Sequence, residues 1–297
     1  MNLRFAAAGG LLVLATAACS SNATNFGGEP DDGTDAAPSL VLRLEYEGGF
    51  MPAEYTFTAQ PTLVVMSDGR IYSPPAMIEI YPPPIQTGYE VRRVTQEGVA
   101  AIRERADEAG LTEDGDRAPN EDGMAVADAA TTVFTYVDED GTEHRITAYA
   151  LAEYGTDGDT PERRKLLEFQ RDLTDLASWL PEGAIVDEGS VEPVAAMRIG
   201  VIELETLSGP TSVGDGGDAP LEPNQEPQPW PLDPPLASFG SASDDDLVER
   251  CGVLTGADLG TFLEAAESAN TMTPWLSEGK PYRLLYDPLT PDEATTC

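Results

Sequence analysis

From Leu40 onward the chain alternates: Leu40, Leu42, Leu44 and Tyr46 fall on one side, and Val41, Arg43, Glu45 and Glu47 on the other. A period of two is that of a strand with one buried face, and Gly48-Gly49 stops it. A lone strand leaves its backbone donors and acceptors unpaired, so this pattern commits the chain to a sheet. Thr62-Leu63-Val64-Val65-Met66 and Arg70-Ile71-Tyr72 flank Ser67-Asp68-Gly69, whose Asp-Gly pair suits a hairpin turn. Pro82-Pro83-Pro84 cannot donate to a ladder and marks a loop before a further strand at residues 89–94. Thr95 then predicts a helix cap, Val94 and Val99 a hydrophobic staple, and Val99, Ile102, Ala106 and Ala109 a buried stripe closed by Gly110. A second hairpin spans residues 132–137 and 142–149. A helix capped by Thr160, with Pro161 at its first position, carries Leu166, Phe169, Leu173, Leu176 and Leu180 on one face. Residues 39–185 are therefore expected to form an α+β domain, an antiparallel sheet with its helices packed on one face.

A smaller α+β block is expected over residues 190–297. It opens with a strand at residues 197–204, crosses a Pro-rich acidic linker at residues 208–235, and continues with a helix at residues 256–269 and a strand at residues 282–286. Trp230, within the linker stretch, either docks on the sheet or stands out as a binding anchor. Residues 94–110 and 254–270 match in type, Val94 with Leu254, Thr95 with Thr255 and Ile102 with Phe262 among them. That fits a diverged duplication, and it equally fits two helices obeying one capping grammar.

The 297 residues carry 53 Asp plus Glu against 17 Lys plus Arg, a formal net charge of -36, which argues against a surface that must hold nucleic-acid phosphates. At 41% hydrophobic the chain has enough apolar side chains to fold, and its 25 Pro and 28 Gly promise long irregular connections. Residues 1–18 begin with a short basic stretch followed by the apolar run FAAAGGLLVLATAA. That run is too short to span a bilayer and reads as a signal peptide. Thr16-Ala17-Ala18-Cys19 resembles the lipobox of bacterial lipoproteins, in which the Cys receives the lipid. Thr16 departs from the usual Leu, Val or Ile, which leaves cleavage without lipid as the alternative. Residues 19–38 would then be a lipid-anchored flexible tether, polar and acidic, reaching about 24 Å. With Cys19 lipidated, Cys251 and Cys297 remain as an even pair in an exported protein, and a disulfide is expected between them, two free thiols being the alternative.

The chemistry-bearing residues are sparse. His144 is the single histidine, which leaves no His cluster for a metal and makes any Ser-His-Asp triad depend on one strand residue, expected to face solvent. The run containing Asp114, Asp116 and Asp122 invites calcium through its oxygen ligands, yet it places Pro119 where an EF-hand loop needs Gly. An exposed acidic loop is the plainer reading. Ser277-Glu278-Gly279-Lys280 spells S-x-x-K in a turn setting without its companion motifs. No cofactor is called for, and paired carboxylates cannot be nominated among so many acids.

Leu44-Glu45-Tyr46-Glu47-Gly48-Gly49-Phe50, Pro61-Thr62-Leu63-Val64-Val65, Asp68-Gly69-Arg70 and the helix ending at Gly110 together resemble an uncharacterised domain of bacterial exported lipoproteins. The Cys251 segment with Pro288-Leu289 and Cys297 is similar to the C-terminal part of uncharacterised actinobacterial lipoproteins. More distantly, Gly-Gly-Phe after a first strand resembles small emfourin-like metalloprotease inhibitors. The expectation is a non-enzymatic, lipid-anchored protein on the extracytoplasmic face of the cell membrane, binding an envelope or secreted macromolecule, inhibitor-like in the distant resemblance, through exposed aromatics such as Phe50 and Trp230. The rival expectations are a hydrolase using carboxylates or a bound cation, and a structural envelope component.

Overall fold

In a computed structural model, which describes residues 37–77, 80–118, 127–151, 160–204, 226–244 and 247–297, the alternating segment is the centre of a sheet. The elements in chain order are β1 (Leu40–Glu47), α1 (Ala53–Phe57), β2 (Leu63–Met66), β3 (Arg70–Ser73), β4 (Gly88–Val94), α2 (Gln96–Ala109), β5 (Gly115–Asp116), β6 (Thr131–Val137), β7 (Glu143–Tyr149), α3 (Pro161–Thr174), β8 (Ile185–Pro193), β9 (Ala196–Glu203), β10 (Gln228–Pro229), β11 (Ser241–Ala242), β12 (Arg250–Thr255), α4 (Gly256–Ala266), β13 (Trp275–Ser277) and β14 (Lys280–Pro288). The class is mixed α+β, in two sheets that are antiparallel apart from two short parallel pairs.

The larger sheet has eight strands in the order β5-β7-β6-β1-β2-β3-β4-β8. β1 pairs with β2 on one side and β6 on the other, so the first strand read from sequence is also the one around which both hairpins close. α2 and α3 cover the first core. Val99, Ile102 and Ala106 of α2 and Leu166, Phe169 and Leu173 of α3 bury there with Leu42, Leu44, Val65, Phe134 and Ile146. The caps take their predicted form: the Thr95 side chain accepts from the Gly98 N–H, Gly110 is left-handed, and the Thr160 side chain accepts from the Arg163 N–H. The α3 stripe continues only as a 3-10 turn, Leu176–Ser178, because the backbone leaves the helical region at Asp175. Leu176 and Leu180 still reach the core from that turn.

The smaller sheet runs β10-β13-β14-β9-β12-β11. Its central strand β9 pairs antiparallel with both β14 and β12, and α4 buries Leu259, Phe262 and Ala266. α4 stops at Ala266 rather than at residue 269, and Thr255 precedes it without a side-chain cap bond.

A second core draws on both sheets. Val64, Met66, Tyr72, Tyr89 and Val91 of the larger sheet bury in one cluster with Met197, Ile199, Val201, Leu254, Phe262, Trp275 and Tyr286. β8 follows the first block in sequence and joins the larger sheet beside β4, leading directly into β9 of the smaller one. Residues Pro38–Cys297 accordingly form one compact unit.

Cys251 on β12 is buried and its sulfur is bonded to that of Cys297, 46 residues later, with the Cα atoms 5.8 Å apart. The link holds the chain end against the smaller sheet. Closing a loop of that length contributes about 2–4 kcal/mol, chiefly by restricting the unfolded chain. Replacing both cysteines by Ser should lower unfolding free energy by about that amount and steepen the denaturant slope, because the unfolded chain loses its cross-link and exposes more surface, as read by urea titration.

Candidate functional site

Beyond β1 the chain turns on Gly48 and Gly49, whose φ angles of +68° and +85° side chains rarely adopt, and it presents a run of exposed apolar groups. Phe50 is 90% exposed, Met51 50% and Tyr55 57%. The backbone carrying them is fixed at both ends. The Phe50 N–H donates to the Asp128 carbonyl at 3.2 Å, and just before the turn Glu47 holds Arg145 through both carboxylate oxygens at 2.7 Å. On the far side, Arg283 of β14 grips Glu54 of α1 with two bonds of 2.7 and 2.5 Å. Phe57 lies against Gly200 of β9 so closely that a Cβ there would come within 2.8 Å of the ring, which is the physical reason a glycine interrupts a central strand. A helix of five residues has no stability of its own, and these contacts supply it.

Trp230 is placed differently from Phe50. Its ring packs at 5.6–6.1 Å from Phe239, Phe262 and Trp275, and its indole N–H donates to the Pro234 carbonyl at 3.1 Å. The docked alternative is the one realised, and the ring belongs to the shared core. Cys19 and Asp122 lie outside the described residues. Asp114 and Asp116 sit beside β7, where Asp114 accepts from the Arg145 backbone N–H at 2.7 Å and Asp116 from the Thr147 hydroxyl at 3.1 Å. Among the described residues no group of three or more His, Cys, Asp or Glu side chains could hold a metal ion.

His144 does not face solvent as the strand pattern led us to expect. Its ring is largely covered, stacks on Tyr136 with centroids 6.4 Å apart, and bonds Asp138 through Nε2 at 3.1 Å. The hydrogen bond from His144 holds the Asp138 carboxyl below its ordinary range. This ties the β6–β7 turn rather than forming a triad.

The charged groups under the C-terminal segment carried no sequence signal. Asp287 of β14 is buried and pairs with Arg198 of β9, whose guanidinium also donates to the carbonyls of Thr296 at 3.0 Å and Ala294 at 3.5 Å. Arg43 of β1 reaches Asp292 at 2.9 Å and Glu293 at 3.2 Å, and the Tyr89 hydroxyl donates to the Pro288 carbonyl at 2.7 Å. Groups up to 249 residues apart thus meet at the seam of the two sheets.

No family model matches the chain, nor does any curated protein or solved structure.

Burial pushes the Asp287 carboxyl up to about 7, against the pull of Arg198. The folded chain therefore keeps a proton that the unfolded chain releases in the ordinary carboxylate range. The contribution of this group to stability is complete below about pH 4 and falls as pH rises toward 7, by up to about 4 kcal/mol. Asp287→Asn removes that titration. Urea unfolding of both proteins across this range should show the variant gaining on the wild type as pH rises, and a constant difference would contradict the assignment.

Proposed function

We propose that the chain is a lipid-anchored, extracytoplasmic binding module that holds an envelope or secreted protein on the Phe50–Met51–Tyr55 surface. The single observation that carries the reading is large apolar area exposed on a backbone pinned at both ends. A loop that merely lacked packing would have no reason to be fastened by a backbone hydrogen bond and an ion pair at one end, and by a second ion pair and a ring wedged on a glycine at the other. Prepositioned aromatics lose little conformational freedom on binding, and buried aromatic anchors carry much of the energy of protein interfaces.

The acidity of the chain sets the kind of partner. With a net charge of -36, an acidic partner is repelled at long range, while an apolar pocket with a basic rim is steered toward the surface. In the same reading Cys19 carries the lipid and residues 20–38 are the leash that lets the folded unit reach that partner.

Two measurements test this. Phe50→Ala should weaken capture of the native partner from envelope and secreted fractions about 30-fold while the melting temperature stays within about 1 °C, since a side chain this exposed contributes little to folding. Equal capture by the variant would contradict the surface. Cys19→Ala should abolish partition into the detergent phase and change the mature mass by the lost lipid, and an unchanged partition and mass would remove the anchor.

A further inference from the structure

Beside the Arg43 cluster, and separate from the Phe50 surface, lies a cleft of about 330 Å³, in the range of small-molecule sites. β3, the β8–β9 connection and the C-terminal segment supply its walls, among them Arg70, Tyr72, Glu192, Val194, Leu289 and Thr295. Its polar groups have unused capacity. Tyr72 is only 8% exposed, yet its hydroxyl has no hydrogen-bond partner among the described residues and is not sealed from the cleft. Burial raises its pKa, so it stays a phenol that can both donate and accept. Arg70 stands 5.7 Å over the Tyr72 ring and spends only Nε on Asp68, at 2.6 Å, leaving both terminal nitrogens free among the described contacts. Glu192 gives Oε1 to Arg93 at 2.6 Å and keeps Oε2. Arg93 is committed twice, to Glu192 and to Asp187 at 3.2 Å.

The spare valences include the Arg70 guanidinium edge, one Glu192 carboxylate oxygen and the Tyr72 hydroxyl, set around an apolar wall of Val194 and Leu289. A simple anion would meet Glu192 and the field of an acidic chain. A simple cation would meet Arg70, and the second carboxylate of the lining, Glu293, is already taken by Arg43 and Thr290. A molecule carrying both charges satisfies each side: its carboxylate takes the two free nitrogens of Arg70, the geometry guanidinium groups favour, and its ammonium takes Glu192. We propose that this cleft binds a small zwitterion with an apolar side chain, a free α-amino acid or a dipeptide. Tyr72 bridges the two charged ends, and the side chain lies on Val194 and Leu289.

The test uses the whole chain and isothermal titration with L-alanyl-L-leucine and L-leucine, alongside N-acetyl-L-alanyl-L-leucine and L-alanyl-L-leucine amide, each lacking one charge. Binding of the free dipeptide or of leucine is expected in the sub-millimolar range, with each charge-blocked dipeptide weaker than its parent by about 10-fold or more. Tyr72→Phe should weaken the free dipeptide about 3- to 10-fold. Arg70→Gln should erase the preference for the free carboxylate over the amide and leave the preference for the free amine. Glu192→Gln should do the reverse, so the two variants control for one another. No binding of either free ligand at about 10 mM, or equal binding of free and blocked dipeptides, would overturn the proposal. So would a variant that leaves its own charge preference intact.

Discussion

A guanidinium buried in the middle of the first strand organises the molecule. Arg43 occupies a position in β1 where an apolar residue would bury at no electrostatic cost, with its side chain only 12% exposed. Burial works against its charge, and Glu293, Glu45 and Asp292 outweigh it, so its pKa rises. Its bonds reach Glu45 at 2.9 Å, Asp292 at 2.9 Å and the Thr290 hydroxyl at 3.1 Å. Thr290 in turn is held by Asp292 and Glu293, so the carboxylates that neutralise Arg43 also fix the segment that carries them. Removing one member of such a buried set leaves an uncompensated charge, which typically costs about 3–5 kcal/mol. The first strand and the last residues of the chain are thereby one structural element.

That tie explains why the two sheets behave as a unit. The C-terminal segment follows β14, lies over Arg198 and Asp287 of the smaller sheet, and ends in the bond to Cys251. α1 crosses in the other direction: it follows β1 of the larger sheet and rests on β9 and β14 of the smaller one. The apolar cluster that both sheets fill is a further connection, and so is the bridge of Pro83 and Pro84 to Asn270 and Thr271. The exposed aromatic run at residues 50–55 sits on the α1 crossing, so its rigidity derives from the packing of the sheets rather than from its own short helix.

Local chemistry was readable and long-range chemistry was not. β1, both hairpins, α2 and α3 follow from period, caps and turn residues, because those signals lie within a few residues of what they determine. β8 escaped: Ile185–Pro193 is exposed along most of its length, and Gly189 breaks its alternation, so no buried face marks it as a strand. α1 escaped because five residues hold no stripe. The cysteine pair was legible by counting. The positions of Arg43, Asp287 and Glu293 were not, since in a chain with 53 acidic residues nothing local distinguishes a carboxylate that meets an arginine 89 or 249 positions away from one that meets water. Trp230 shows the same limit: an aromatic in a Pro-rich stretch reads alike whether it docks or projects, and only the distant Phe239, Phe262 and Trp275 decide it.

The central claim is that the two sheets and the aromatic run between them share one cooperative structure. Native-state hydrogen exchange resolved by residue tests it, because cooperative units reveal themselves by a common opening free energy. The account predicts that the slowest amides of β1, β6, β9 and β14 open with the same free energy and the same denaturant dependence. A lower opening free energy for β9 and β14 than for β1 and β6, with a shallower denaturant slope, would show the smaller sheet unfolding by itself and would contradict it.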